Sequence, residues 1–455
     1  MTQRLLIKGG FLVTMEPSLG DLVDTDILVS DGKIVQIAPD IQAADAAVID
    51  ASQKVVIPGL IDTHRHTWQS VLRNSLPDDD LPTYLHTILG EFAPHYRPED
   101  VYAGNLIGAL GAINAGVTSL LDWSHIMNTP QHADAAVEAL QSTGIRAVFA
   151  HGTPNAPHHE WHGESTRNHP DDIARLRTQY FSSDDQLVTL AMSLRGPEFT
   201  VMEVTKHDIE LARSIGAPIT VHVGCGALGP KYKAVTQMSR YGLLGPDITF
   251  IHCTTSTDEE LELVVESGGT VSIAPAVECQ MGHGDPPFNR FNDLGVRPSL
   301  SLDVETSTAS DMFMQMHAAY QVARVIAHER VRAGQAAQFL NTRDILEMAT
   351  VQGARTLGLQ DRVGSIAVGK RADLVVLDLN TVNVAPVNDV VGAVVLSADT
   401  SNVDTVVIDG NVVKRDGKLV DVDLAAAMNS IYQSRDHLYA SAGRTPSQLR
   451  HPATT

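Results

Sequence analysis

Residues 55–66 read VVIPGLIDTHRH, an apolar run that ends in two histidines placed two positions apart. The run 55–62 is typical of a buried parallel strand. An open, doubly wound sheet would carry a glycine-rich phosphate turn after its first strand, whereas His64, Arg65 and His66 stand here. The stretch therefore favours a (β/α)₈ TIM barrel, in which active sites form where the strands end.

Further short runs rich in apolar and β-branched residues follow, each separated from the next by enough residues for a helix. They cover residues 117–122, 146–151, 188–194, 219–223, 248–253, 270–275 and 298–304. Segments 99–115 and 257–267 have helical patterns, and each is followed by glycine. Together with 55–62 these runs predict eight strand–helix units, which is the number that closes a barrel.

The two ends of the chain have a different pattern, with short alternating strands and Asp-Gly turn signals. The signals are Asp31-Gly32 near the N-terminus, and Asp409-Gly410 and Asp416-Gly417 near the C-terminus. Neither end alone has enough strands to bury the apolar face of its sheet. Both ends are therefore predicted to build one small β-sandwich together. The predicted domains are therefore 1–57 with 362–455 for the sandwich and 58–361 for the barrel. Residues from Leu424 onward are predicted to form a helical tail, with 440–455 poorly ordered.

The composition restricts the class of partner. The chain has 455 residues with 54 acidic and 33 basic side chains, which gives a net charge of −21. That charge repels phosphate backbones and anionic lipids, so we expect a small-molecule substrate and neither nucleic acid nor membrane. Cys225, Cys253 and Cys279 are an odd and sparse set, which favours a reducing, cytoplasmic location.

Polar residues with metal-binding side chains stand at the ends of several predicted strands. Strand alternation places His64 and His66 on the same side, while His222, His252 and Asp303 end strands five, six and eight. The ends of parallel barrel strands meet at one face, so these side chains are expected to converge. Imidazoles with one carboxylate suit zinc, iron(II) or cobalt(II), with a coordination position left for water. Spacing alone does not separate the metal ligands from the other members of the group.

Two stretches resemble a known family. Residues 58–66, PGLIDTHRH, resemble the His-X-His signature of the amidohydrolase superfamily, and residues 364–378, GSIAVGKRADLVVLD, resemble its return to the C-terminal sandwich. Within the superfamily the chain is similar to the branch of cytosine, guanine and S-adenosylhomocysteine deaminases and triazine hydrolases. The resemblance implies a homo-oligomer with one divalent ion, zinc first and iron(II) or cobalt(II) as alternatives, held by His64, His66, His222 and Asp303. It also implies that His252 contacts the reacting water or the oxyanion and that Asp303 accepts the water's proton.

The chain departs from the family pattern at two places. Binuclear members carry a metal-bridging lysine at the end of strand four, but residues 190–198 read LAMSLRGPE, which predicts a mononuclear site with Glu198 as an alternative bridging ligand. The deaminases carry a proton-shuttling glutamate three residues after the strand-five histidine, where Cys225 stands here. A thiol is a poor general acid, so we expect Glu278, after strand seven, to supply the carboxylate while Cys225 shapes the pocket. The alternative is a thiol-dependent step at Cys225.

The remaining loops after the strands supply candidates for the substrate pocket. These are Trp68, Gln69, His86, Trp123, Cys225 and His283, with Arg73 and His125 as further members. The expected reaction is hydrolysis at an electrophilic carbon of a small nitrogen-containing ring, with release of ammonia, an amine or a similar leaving group. Hydrolysis of an amide, urea or carbamate is an alternative that needs no ring-nitrogen shuttle. A non-catalytic scaffold is the alternative from another class of protein.

Overall fold

The computed structural model describes residues 4–447, and its larger sheet is a barrel of eight parallel strands in sequence order. The strands are Leu60–Arg65, Val117–Ser124, Arg146–His151, Val188–Leu194, Ile219–Val223, Ile248–His252, Thr270–Ile273 and Ser299–Leu300. Asp303 closes the ring, since its backbone N–H donates to His64 O (2.8 Å) and its carbonyl accepts from His66 N (2.9 Å). The predicted (β/α)₈ barrel is confirmed.

The segment predicted as one strand, 55–62, is divided between two sheets. Val55–Pro58 pairs with Leu374–Leu377 and with Arg4–Val13 in the terminal sheet, and the first barrel strand begins at Leu60. Gly59 lies between the two, and a Cβ there would meet Thr118 Oγ1 at 1.9 Å. The chain therefore crosses from one sheet to the other without a linker, and its apolar pattern does not reveal the crossing.

Both termini contribute to one mixed sheet of nine strands. Its strands are Arg4–Val13, Asp21–Ser30, Lys33–Ala38, Ala47–Asp50, Val55–Pro58, Leu374–Leu377, Val403–Ile408, Asn411–Arg415 and Lys418–Leu419. The sheet has its own apolar core, which includes Ile7, Ile27 and Val376. Asp31 and Gly32 form the predicted turn between two strands. Both residues have the left-handed backbone that a two-residue hairpin turn requires, with φ values of 50° and 75°. The prediction that both termini build one separate β-structure is confirmed, in the form of this mixed sheet.

Helices connect the barrel strands and cover the outside of the barrel. The α-helices are Leu81–Tyr84, Pro98–Asn114, Pro130–Thr143, His158–Trp161, Asp172–Gln179, Met202–Ser214, Leu228–Tyr232, Ala234–Arg240, Asp258–Glu266, Pro275–Gln280, Phe288–Asp293, Met312–Arg332, Thr342–Met348, Val351–Thr356, Val390–Leu396 and Leu424–Ser441. A π-helix spans Leu85–Phe92, and 3₁₀ turns span Thr67–Leu72, Ala93–His95 and Thr400–Asn402. None of the helices within residues 4–447 has the length and apolar character needed to cross a bilayer.

The predicted helical tail is present as Leu424–Ser441, and it packs against Pro98–Asn114 on the outside of the barrel. Leu438 is fully buried in that contact region. The tail was predicted to be poorly ordered from residue 440, but the helix continues to Ser441. Residues 448–455 of that prediction lie outside the described residues.

A buried ion pair joins the barrel to the terminal sheet, and it gives the first testable prediction. Arg146 donates from Nε and Nη2 to Asp373 (2.7 and 2.9 Å), and the side chains are only 4% and 1% exposed. Asp373→Ala leaves a buried guanidinium without its main partner, so we expect a loss of about 3–5 kcal/mol in the free energy of unfolding. Urea denaturation measures this loss. Asp45→Ala, which removes the exposed partner of Arg4, is the control and should leave the midpoint unchanged; equal midpoints for both variants contradict the prediction.

Candidate active site

The closure between strands one and eight positions three of the candidate metal ligands, His64, His66 and Asp303. A parallel bridge sets Asp303 opposite Arg65, so the aspartate lies between the two flanking histidines. Asp303 Oδ1 is 3.2 Å from His64 Nε2 and 3.2 Å from His66 Nε2. The φ of Asp303 is 70°, a left-handed value that is uncommon for a residue other than glycine. Backbone hydrogen bonds on both sides hold this conformation, which is typical of functional sites.

His222, at the end of strand five, joins His64, His66 and Asp303 in one cluster, called here the four-residue group. Its Nε2 is 3.1 Å from His64 Nε2, and the nearest ligand atoms of the four residues lie within 4.8 Å of one another. His66 Nδ1 donates to the carbonyl of Trp123 (3.1 Å), which leaves the lone pair of its Nε2 facing the group. Three imidazole nitrogens and one carboxylate oxygen therefore converge on one point, a donor set that fits a zinc ion.

Burial and neighbouring groups set the protonation of these candidate ligands. It lowers the pKa of His64 to about 3 and the pKa of His222 well below its ordinary value, so both rings are neutral. Burial alone would raise the pKa of Asp303, but the close contacts with His64 and His66 outweigh it and hold that pKa well below its usual range. Neutral imidazoles and an ionised carboxylate are the forms that bind a metal ion.

His252, at the end of strand six, forms a dyad with Glu278. His252 Nδ1 is 2.9 Å from Glu278 Oε1, and His252 Nε2 is 3.7 Å from Asp303 Oδ2. Glu278 lies in the short helix Pro275–Gln280, and its Oε1 also accepts a hydrogen bond from Ala274 N (2.9 Å). Burial raises the pKa of Glu278 to about 8.

The position of Glu278 corrects the sequence-based picture in one respect. Glu278 was expected to supply a carboxylate from the segment after strand seven, but its side chain is fully buried behind His252 and is not part of the cavity wall. Proline at position 275 begins a helix directly after strand seven, and this turns the side chain toward the barrel wall. Glu278 is thus placed to act through His252.

A cavity opens above the four-residue group and encloses about 730 Å³, its mouth included. Of the predicted pocket residues, Trp123, Cys225 and His283 line it, as does His125. Its wall also contains His66, Leu81, Tyr84, Leu85, Leu89, Thr153, His162, Ser193, Arg195, Phe199, His222, Leu228, His252, Met281, Asp303 and Val304. Three of the four candidate metal ligands, His66, His222 and Asp303, therefore face the same space as the predicted water-contacting histidine, His252.

The other predicted pocket residues do not line the cavity. The side chain of His86 is 73% exposed and pairs with Glu91, because its helical segment turns it outward. Trp68 and Gln69 are fully buried one layer behind the wall. Trp68 Nε1 donates to His125 (3.3 Å), and Gln69 Nε2 donates to the Tyr84 hydroxyl (2.6 Å), so both support residues that do line the cavity.

Tyr84, His162 and Arg195 line the cavity but were missed from the sequence. Arg195 directly follows strand four, and its strand-end position was a usable signal. Tyr84 and His162 lie in long connections, where the pattern of the sequence gives no direction for a side chain. Arg195 donates to the Trp161 carbonyl (3.2 Å) and to Ser165 Oγ (3.1 Å), which fixes its guanidinium in the wall.

Glu198 and Arg73 have supporting positions. Glu198 Oε1 accepts from Gly224 N (2.6 Å), so this carboxylate holds the turn that precedes Cys225. Within the described residues it does not belong to the candidate metal-binding group. Arg73 contacts Glu305, which also binds Arg65 below the site.

The pattern of the amidohydrolase family matches residues 55–413, which is most of the chain. The protein belongs to the amidohydrolase family. The prediction of a hydrolase is thereby confirmed, and the four-residue group provides candidate ligands for the divalent metal of this amidohydrolase.

Relatives of this amidohydrolase include deaminases. It is 28% identical over 444 residues to the 5'-deoxyadenosine deaminase of Methanosarcina mazei, covering 96% of this chain and 98% of the relative. It is 25% identical over 445 residues to the 5-methylthioadenosine/S-adenosylhomocysteine deaminase of Thermoanaerobacter pseudethanolicus, covering 95% and 99%.

Solved structures show the same fold. A zinc-bound adenosine deaminase from Xanthomonas campestris superposes with a TM-score of 0.82 at 25% identity, covering 96% of this chain and 98% of that chain. Atrazine chlorohydrolase TrzN from Arthrobacter aurescens, complexed with zinc, superposes with a TM-score of 0.83 at 20% identity, covering 95% and 100%. The second likeness concerns the fold alone.

Proposed function

We propose that this amidohydrolase uses one tightly bound zinc ion to hydrolyse a carbon–nitrogen bond in a small nitrogen-containing ring, with release of ammonia or an amine. The observation that carries the proposal is the joint placement of the four-residue group and the His252–Glu278 dyad at one cavity. The deaminase relatives and the zinc-bound adenosine deaminase structure support the reaction class and the choice of metal.

The ligands proposed for the ion are His64, His66, His222 and Asp303. An ion held by these residues would supply Lewis-acid activation of the attacking water. Asp303 directs Oδ1 toward His64 and His66, which leaves Oδ2 facing His252. Asp303 Oδ2 is therefore the atom that accepts the proton of the attacking water.

His252 and Glu278 together replace the missing proton-shuttling glutamate. Burial lowers the pKa of His252 to about 4, so the ring is neutral at rest and its Nε2 can take a proton from Asp303 Oδ2, 3.7 Å away. Glu278 Oε1 accepts the Nδ1–H of the ring, which fixes the tautomer, and in its ionised form the carboxylate stabilises the positive charge that forms. His252 then delivers the proton to the leaving nitrogen. Burial raises the pKa of the Cys225 thiol well above its ordinary value, which leaves that side chain a weak acid.

The residues of the cavity wall favour a flat substrate that carries no positive charge. Leu81, Leu85 and Phe199 contribute apolar surface, and the ring of Trp123 lies beside His222 with centroids 4.0 Å apart. Within the described part of the chain, Asp303 is the one acidic side chain in this wall, so a cationic group would find no further partner. An aromatic or pseudo-aromatic nitrogen ring satisfies these conditions. An amide, urea or carbamate stays the second candidate, because Cys225 stands in place of the usual shuttle.

A substrate screen tests this proposal. Zinc-loaded protein is incubated with amino-substituted purines, pyrimidines and triazines, and in parallel with cyclic and open-chain amides, ureas and carbamates, while ammonia or amine is measured. Release from amino-substituted rings is expected. Release from amides, ureas or carbamates alone selects the second candidate, and absence of turnover throughout the panel with the ion bound contradicts both.

Glu278 and Cys225 give a direct test of the dyad. Glu278→Gln keeps the shape of the side chain but cannot stabilise a charged His252, so turnover should fall by about 10²-fold or more with metal content unchanged. Cys225→Ser should lower turnover by less than about tenfold, because the thiol only shapes the pocket. Steady-state rates and metal analysis measure both effects. An inactive Cys225→Ser beside a near-normal Glu278→Gln would assign the proton step to the thiol.

We also propose that the enzyme is a homo-oligomer in a reducing compartment such as the cytoplasm. The family resemblance supports the first statement, and three unpaired cysteines support the second. Sedimentation velocity of the purified chain tests the oligomeric state, and a monomer at micromolar concentration contradicts it.

A further inference from the structure

Cys225, His252 and His283 form a second cluster of side chains that could bind a metal ion, beside the four-residue group. We propose that this cluster is a second, weaker site for a thiophilic divalent ion such as zinc or cadmium, and that its occupation inhibits the enzyme. The inhibition rests on the proposed function, because it assumes that His252 moves protons. The binding itself does not depend on that function.

The ligand set suits such an ion. The Cys225 sulfur and one ring nitrogen from each histidine lie within 4.8 Å of one another, and all three residues are buried. A thiolate with two imidazoles is a common protein environment for zinc, and the sulfur gives a preference over magnesium or calcium. The cluster shares no residue with His64, His66, His222 and Asp303. It also differs from a lysine-bridged pair, since its residues come from the end of strand six and from the loops after strands five and seven.

His283 supplies an independent observation. It is only 3% exposed, yet neither ring nitrogen has a hydrogen-bond partner among the described residues. A buried polar group without a partner costs about 1–3 kcal/mol, and coordination of an ion through one nitrogen would remove part of that cost. The ring stands edge-on to His252 with centroids 4.7 Å apart, which directs it into the cluster. Glu278 Oε2, close by, is also buried without a partner.

The backbone holds the ligand-bearing loops together before any ion binds. The carbonyl of His283 accepts hydrogen bonds from Gly226 N (2.7 Å) and from Thr254 Oγ1 (2.6 Å). These bonds tie the loop after strand seven to the loop that contains Cys225 and to the loop after strand six. The order needed for coordination is thus already present in the fold, which lowers the entropic cost of binding.

Occupation of this site would stop proton transfer at His252. Glu278 holds the Nδ1 of His252, so only Nε2 is free to bind an ion. That same Nε2 faces Asp303 Oδ2 at 3.7 Å and is the atom assigned to proton transfer. On binding, the Cys225 thiol loses its proton to the solvent and the sulfur joins the ion. His252 cannot then accept a proton, so turnover stops while the catalytic ion stays in place.

Cadmium titration of the one-zinc holoenzyme tests the site directly. We expect a second equivalent to bind, with an ultraviolet thiolate-to-cadmium absorption band, in the wild type and in Cys279→Ser, a matched control whose thiol is exposed. Cys225→Ser should lose the band, and both Cys225→Ser and His283→Gln should bind the second ion about tenfold or more weakly. The proposal is overturned if the wild-type holoenzyme binds no second metal ion. It is also overturned if the Cys225→Ser protein still binds cadmium and still has the thiolate-to-cadmium band.

The activity measurement separates this proposal from the proposed function. Excess zinc should inhibit the wild type, and Cys225→Ser, measured against the rate of its own one-zinc form without added zinc, should need about tenfold or more zinc for the same fractional inhibition. Equal sensitivity in the two proteins overturns the inhibitory role. If the protein hydrolyses no tested compound, the cadmium titration still decides whether the second site exists, and a missing second site leaves the hydrolytic proposal intact.

Discussion

Asp303→Ala is expected to lose the tightly bound ion and to have no measurable turnover. Its Oδ1 lies 3.2 Å from the Nε2 atoms of His64 and His66, and its Oδ2 is the proposed proton acceptor, so one substitution removes a ligand and a base. His66→Ala should have the same outcome through loss of the ligand alone. Metal analysis of the purified variants, together with steady-state rates, measures the effect.

Asp258→Ala is the matched control for this experiment. The Asp258 side chain is 81% exposed in a surface pair with Arg290, so its removal should leave both metal content and turnover near wild type. Circular dichroism establishes that the Asp303 variant is folded, which is expected because the backbone bonds of residue 303 that close the barrel remain available. A folded Asp303→Ala protein with a full equivalent of metal would exclude this residue from the ligand set.

His252→Ala is expected to keep the tightly bound ion while turnover falls by about 10²-fold or more. His252 Nε2 is 3.7 Å from Asp303 Oδ2, and Nδ1 is held by Glu278, so the ring is placed to move a proton between other groups. Its removal leaves the Glu278 carboxyl buried, where burial already raises its pKa to about 8 and allows it to stay neutral. Metal content and turnover number are measured on the same preparation.

His86→Ala is the control for the histidine, because this side chain is 73% exposed on the same molecule. It should leave turnover unchanged although the sequence also made His86 a pocket candidate. If His252→Ala loses the tightly bound ion while it remains folded, His252 is a ligand, and the division between the metal group and the dyad is wrong.

The sequence by itself determined the barrel and the candidate metal group. Parallel barrel strands end at one face, so a histidine or aspartate at a strand end is directed to that face whatever the intervening helices do. His64, His66, His222 and Asp303 each satisfied that condition, and the structure brings them together. The Asp-Gly turns similarly predicted the terminal strands, because their backbone conformation is a local property.

Only the tertiary structure decided how the other side chains are directed. The helix that begins at Pro275 turns Glu278 behind His252, and a helical segment after strand one turns His86 to the surface. Tyr84 reaches the cavity from a connection whose sequence pattern sets no direction. The assignment of Val55–Pro58 to the terminal sheet likewise depended on its pairing with a strand more than three hundred residues away. In each case contacts between distant parts of the chain fix the position, and such contacts are not encoded in the local periodicity of the residues.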